Sequence, residues 1–166
     1  MKQLVVSMLC FLTITGAFSQ EMNTIKCNIT PFNVYIDDAD EFSSIRNSPN
    51  GEIVLKISNT QSYGYILNVI GFKNNWLKID MITGVDSYRI TNFVGWVHSS
   101  IIAASVTHTT NLFNKPNGNI TGQLKGETGA FKIIDVHCNW VKIKTQQHIG
   151  WIASENICGN PVTTCP

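Results

Sequence analysis

The residues best equipped for chemistry are the thiols. Beyond the first twenty positions the chain holds Cys27, Cys138, Cys158 and Cys165, and His137 stands directly before Cys138. A nucleophilic cysteine needs an imidazole within hydrogen-bond reach and a third group to orient that imidazole. Neighbouring residues on a strand point to opposite faces, so His137 is poorly placed to activate Cys138. An even number of cysteines in an exported chain reads instead as two disulfides, and four cysteines allow three connectivities. In one of these, Cys158 and Cys165 close the C-terminal tail on itself and Cys27 is left for Cys138. Spacing does not select among the three. A zinc site needs closely spaced ligand pairs, and the sequence has no Cys-x-x-Cys.

The carboxylates and imidazoles carry less. Asp37, Asp38, Asp40 and Glu41 form the one acidic cluster. A calcium loop of the EF-hand type that started at Asp38 would need Gly at its sixth position and Glu at its twelfth. Those positions hold Ser43 and Pro49, so the cluster reads as a solvated loop. His98, His108, His137 and His148 are scattered without ligand spacing. The side chains therefore predict no catalytic residue, no metal and no cofactor, and a binding protein rather than an enzyme.

Aromatic residues are the remaining candidates for contact with a ligand. Trp96 and Trp151 each follow a glycine, which leaves space beside the backbone, whereas Trp76 and Trp140 open strands and read as packing. All four tyrosines, Tyr35, Tyr63, Tyr65 and Tyr88, fall before position 89. Tyrosine joins a large apolar face to a polar tip and suits a partly wet recognition surface. Tyr63 and Tyr65 are two apart, which places both on one face of a strand. Trp96, Tyr63, Tyr65 and Tyr88 are accordingly the expected ligand-binding residues, with Tyr88 and Arg89 on an enlarged loop. The competing reading uses the tyrosines to fill an interface between two lobes.

The elements that must position these residues occur twice. The first copy runs Arg46-Asn47-Ser48-Pro49-Asn50-Gly51-Glu52-Ile53, then Asn75-Trp76-Leu77-Lys78-Ile79, then Gly95-Trp96-Val97. The second runs Phe113-Asn114-Lys115-Pro116-Asn117-Gly118-Asn119-Ile120, then Asn139-Trp140-Val141-Lys142-Ile143, then Gly150-Trp151-Ile152. Between the copies the offset shrinks from 67 at the prolines to 64 and 55 at the two tryptophans, so the first copy carries insertions. Three elements in one order mark an internal repeat. Each Pro-Asn-Gly turns the chain, because Pro fixes φ and Asn-Gly tolerates positive φ. Segments such as Trp76–Ile79 and Trp140–Lys144 alternate apolar and polar residues, as half-buried strands do. Tyr65–Phe72 and Phe131–Val136 are β-rich, Thr145–His148 is a polar connector, and helical periodicity is confined to one short turn near Ala153–Asn156. The chain reads as all-β with short strands.

This pattern resembles the bacterial SH3 (SH3b) family. The resemblance rests on Ile45-Arg46, Pro49-Asn50-Gly51, Trp76-Leu77-Lys78-Ile79 and Gly95-Trp96-Val97-His98-Ser99-Ser100-Ile101. It covers Val34–Ala103 and His108–Cys158. The second copy departs with Leu112-Phe113 where the family has Arg, and the first with a long excursion over Asp80–Val94. The resemblance implies two tandem SH3-like small β-barrels, over residues 34–104 and 108–158, joined near Ala104–Thr107. It also implies binding, with cell-wall peptides or glycan as ligands. A structural or interaction component of an exported complex is the alternative class.

Residues 1–19 read as a secretory signal peptide: Lys2, then an uncharged, mostly apolar stretch over Leu4–Phe18, with Ala17 and Ser19 before the cut. Fifteen residues at ~1.5 Å rise fall short of a ~30 Å hydrocarbon core. Residues 20–33 form an N-terminal segment and 159–166 a C-terminal tail. Losing Lys2 leaves eleven basic residues against eleven acidic ones. A neutral chain with interspersed charges lacks the footprint of a nucleic-acid binder. The expectation is a secreted or periplasmic protein whose partner is a peptidoglycan or peptide ligand, or an envelope protein. No nucleic acid and no transmembrane segment in the processed chain are expected.

Overall fold

The computed structural model describes residues 27–60, 64–85, 89–90, 93–106, 108–126 and 128–162. The signal-peptide reading, Tyr63, Tyr88 and Cys165 lie outside the described residues.

Every strand pair among the described residues is antiparallel. The first sheet contains β1 (Phe32–Ile36), β2 (Phe42–Arg46), β3 (Ile53–Ser58), β4 (Tyr65–Lys73), β5 (Trp76–Gly84), β6 (Arg89–Ile90), β7 (Gly95–His98) and β8 (Ile102–Ala103). Its order is β3-β2-β7-β5-β4-β1-β8, with β6 paired to β5 off that path. The second sheet contains β9 (Thr110–Phe113), β10 (Ile120–Leu124), β11 (Lys132–His137), β12 (Trp140–Lys144) and β13 (Ile149–Ala153). Its order is β10-β9-β13-β12-β11. Strand for strand, this matches β3-β2-β7-β5-β4 of the first sheet, so the sequence repeat is also a repeat of topology.

The repeated motifs do the same work in both copies. Asn50 (φ 58°) and Asn117 (φ 54°) take the left-handed conformation before each glycine. The Gly51 and Gly118 N–H groups donate to Ser48 O and Lys115 O, each at 2.9 Å, and fix the β2–β3 and β9–β10 turns. The β4–β5 hairpin turns on Asn74 and Asn75, both at positive φ, which matches the twist of the flanking strands. Short 3-10 turns follow at Ser99–Ile101 and Ser154–Asn156. Each is tied back to its hairpin, with Ser99 N donating to Asn75 O and Ser154 N to Asn139 O, both at 2.8 Å.

Two expectations change. The all-β class is as expected, but among the described residues no closed barrel is formed, and each sheet runs as an open path from edge to edge. In the first sheet β1 and β8 extend the β4 edge, where closure would have to begin. The Asp80–Val94 excursion is also more regular than a loop. β5 continues to Gly84, opposite Tyr65, and pairs with β6 through Ile82 and Ile90.

One apolar core joins the two sheets. Ile45, Leu67, Leu77, Ile79 and Val97 of the first copy belong to the same buried cluster as Leu112, Phe131, Ile133, Ile143 and Ile152 of the second. The backbone seals the junction. Ala104 and Phe131 exchange hydrogen bonds at 3.2 and 3.1 Å, and Ser105 and Cys158 at 2.9 and 2.7 Å. Cys27 is disulfide-bonded to Cys138, so the N-terminal segment is tied to the β11–β12 turn, and Thr30 N donates to Cys138 O at 3.1 Å. Cys158 is also disulfide-bonded.

Candidate functional site

The larger described cavity is an open groove of about 510 Å³ on the second copy. Its floor is Leu124, at the end of β10. One wall is Lys125 with Thr128, Gly129 and Ala130, and the other is the β12–β13 connection, Thr145 to His148. Among the described residues the polar lining is amide, hydroxyl, one ammonium and one imidazole, with no carboxylate and no aromatic ring other than that imidazole.

Local chemistry shapes each wall. Thr145 Oγ1 accepts from the backbone N–H groups of Gln147 (3.1 Å) and His148 (2.8 Å), while Thr145 N donates to His148 O at 2.9 Å. This side-chain-to-backbone bracing is how threonine stabilises a tight connection. On the other wall Thr128 Oγ1 donates to Lys125 O at 2.6 Å. Ala130, at φ 54°, donates its N–H to the Tyr35 hydroxyl of the first copy at 3.1 Å. Burial raises the Tyr35 phenol above its ordinary 10.0; the Ala130 N–H acts against this, and the Asp37 carboxylate adds to it. The phenol is therefore neutral at physiological pH.

The residues singled out in the sequence sit elsewhere. Tyr65 is buried in β4 and borders a small cavity of about 160 Å³ with Asp37, Asp38 and Asn59. Trp96 is half-buried in β7, opposite Arg46 and Lys78. The space beside Gly95 is already filled, because a Cβ there would collide with Ile45 and Phe93. A Cβ at Gly150 would press on Leu112 less severely, at 3.0 Å. These glycines let strands cross closely; they do not open a slot for a ligand.

The other tryptophans pack as read from the sequence. Trp76 meets His98 edge to face, and Trp140 meets Phe113, both at 5.0 Å between centroids. Tyr35, left out of the expected ligand-binding set and placed only in the competing inter-lobe role, is the tyrosine that reaches the groove. No local signal marks it, since its partner lies 95 residues away.

Two carboxylates of the acidic loop are partnered, one of them across the copies. Ser43 Oγ donates to Asp38 at 2.7 Å, and Asp37 pairs with Lys132 at 2.6 Å. Cys27, His137 and Cys138 bring ligand-type atoms within 4.8 Å of one another, but both sulfurs are in the disulfide, so neither is a thiolate.

No family model matches the sequence, and no curated protein matches it. Among solved structures, the chain is similar to NlpC1 from Trichomonas vaginalis, with 13% identity and a TM-score of 0.33 over 78% of this chain and 46% of that one. It is also similar to NlpC2 from the same organism, with 12% identity and a TM-score of 0.33 over 77% and 48%. The chain thus spans about half the length of each. The NlpC names of these structures run against the expectation of a chain that is not an enzyme, and that expectation is not carried forward.

Proposed function

We propose that the chain is an exported module of two SH3-like lobes that holds a carboxylate-bearing peptide or glycan of a cell envelope in the groove of its second copy. The observation that carries this reading is the groove itself. It combines about 510 Å³ of open volume with two short walls and a polar lining that, among the described residues, carries one ammonium and no carboxylate. Lys125 supplies a charge-assisted donor, and the glutamine amides both donate and accept. The disulfides and the N-terminal apolar stretch support export.

On this reading recognition belongs to the second copy rather than to Trp96. Lys125→Ala removes one charged donor and lowers affinity for purified cell wall about tenfold, read as protein left in the supernatant after sedimentation. Trp96→Phe leaves sedimentation unchanged. Wild-type protein that stays in the supernatant at every wall concentration overturns the reading.

A further inference from the structure

We propose that this groove is a shared site, in which the first copy sets one wall and Tyr35 is its positioning residue. The inference rests on the reading that the groove holds the ligand.

The two walls are supported differently. Thr145 to His148 closes on itself through four hydrogen bonds to and from Thr145. The Thr128–Ala130 wall belongs to the second copy by sequence, yet its backbone is bonded largely to the first copy and the link that follows it. Val106 N donates to Thr128 O at 2.9 Å, and Ala130 N donates to Tyr35 Oη at 3.1 Å. Immediately beyond, Phe131 is exchanged with Ala104, and Lys132 Nζ donates to Asp37 at 2.6 Å and to Ile102 O at 3.2 Å. Ala130 itself is at φ 54°, a conformation that alanine keeps only where its surroundings hold it.

Tyr35 can hold it because its own place is fixed. It sits in β1 between Ile66 of β4 and Ala103 of β8, so the ring is anchored by strands on both sides. The second copy has no tyrosine and cannot supply this acceptor from its own sequence. The width of the groove therefore follows from how the copies are docked.

The test uses the full processed chain with Tyr35→Phe, which keeps the ring and removes the acceptor. Amide hydrogen exchange at Ala130, measured without ligand, accelerates about tenfold while exchange in β4 and β5 is unchanged. Affinity for soluble peptidoglycan fragments falls about fivefold, and Asp37→Asn, which leaves the hydroxyl in place, retains most of it. A solely structural role would lower the unfolding midpoint without a local change at Ala130. Unchanged exchange at Ala130, or accelerated exchange with full affinity, overturns the shared wall. Wild-type protein that binds no fragment overturns the functional reading instead, so the two failures are told apart.

Discussion

Replacing Cys27 and Cys138 together by serine lowers the unfolding free energy by about 2–5 kcal/mol. The two cysteines are 111 residues apart, so their bond constrains nearly the whole described chain when it unfolds. Loop-closure entropy grows only slowly with length, which places the effect toward the upper part of that range. The bond also holds Thr30 against Cys138 and keeps the N-terminal segment on the second copy. In urea the midpoint drops by about 1–2 M, and the slope rises because the unfolded chain expands. The bond at Cys158 stays intact in this variant. A midpoint equal to the wild type would mean that Cys27–Cys138 does not couple the copies.

The second large effect comes from a single methyl group. Gly159→Ala destabilises the fold by about 2–3 kcal/mol through overpacking. Gly159 is buried where the C-terminal tail crosses β1, and a Cβ there collides with the backbone of Asn33 and Val34. Side chains can rotate out of a clash, but a paired strand cannot. Nor can the tail shift freely, since Cys158 is bonded to Ser105 in both directions and is itself cross-linked. Gly122→Ala is the control. The nearest neighbour of the added Cβ would be Leu112 Cδ1 at 3.9 Å, and the variant's unfolding free energy stays within about 0.5 kcal/mol of the wild type. Equal midpoints for Gly159→Ala and Gly122→Ala in thermal or urea unfolding would contradict the close crossing.

Which of these features the sequence reveals depends on how local their causes are. Pro49-Asn50-Gly51 and Pro116-Asn117-Gly118 act within four residues, and both turns form where read. The strands opened by Trp76 and Trp140 are equally local, since alternation alone marks them. The repeat then carries the matching strand order of the two copies.

What the sequence hides is non-local. The extended edge of the first sheet depends on β1 and β8, which come from opposite ends of the first copy. The Cys27–Cys138 pairing is one of three that spacing allows, and the fold adopts it. The groove is built from Gln, Thr, Lys and His on connections, residue types that also make ordinary solvated loops. One of its walls is held by Tyr35, 95 residues away from Ala130. Aromatic residues drew attention to the first copy, but Tyr65 is buried and the room beside Gly95 is taken by Ile45.

The central claim is that the second copy's groove is where an envelope ligand sits. Its most direct test is amide chemical-shift mapping of the processed chain during titration with soluble peptidoglycan fragments. The account predicts the largest changes at Gln123, Lys125, Gly129 and Gln146–His148, which line both walls. Smaller changes reach Tyr35 through Ala130, and Trp96 and its neighbours in β7 stay unmoved. Shifts centred on Trp96 with a silent groove would contradict the account.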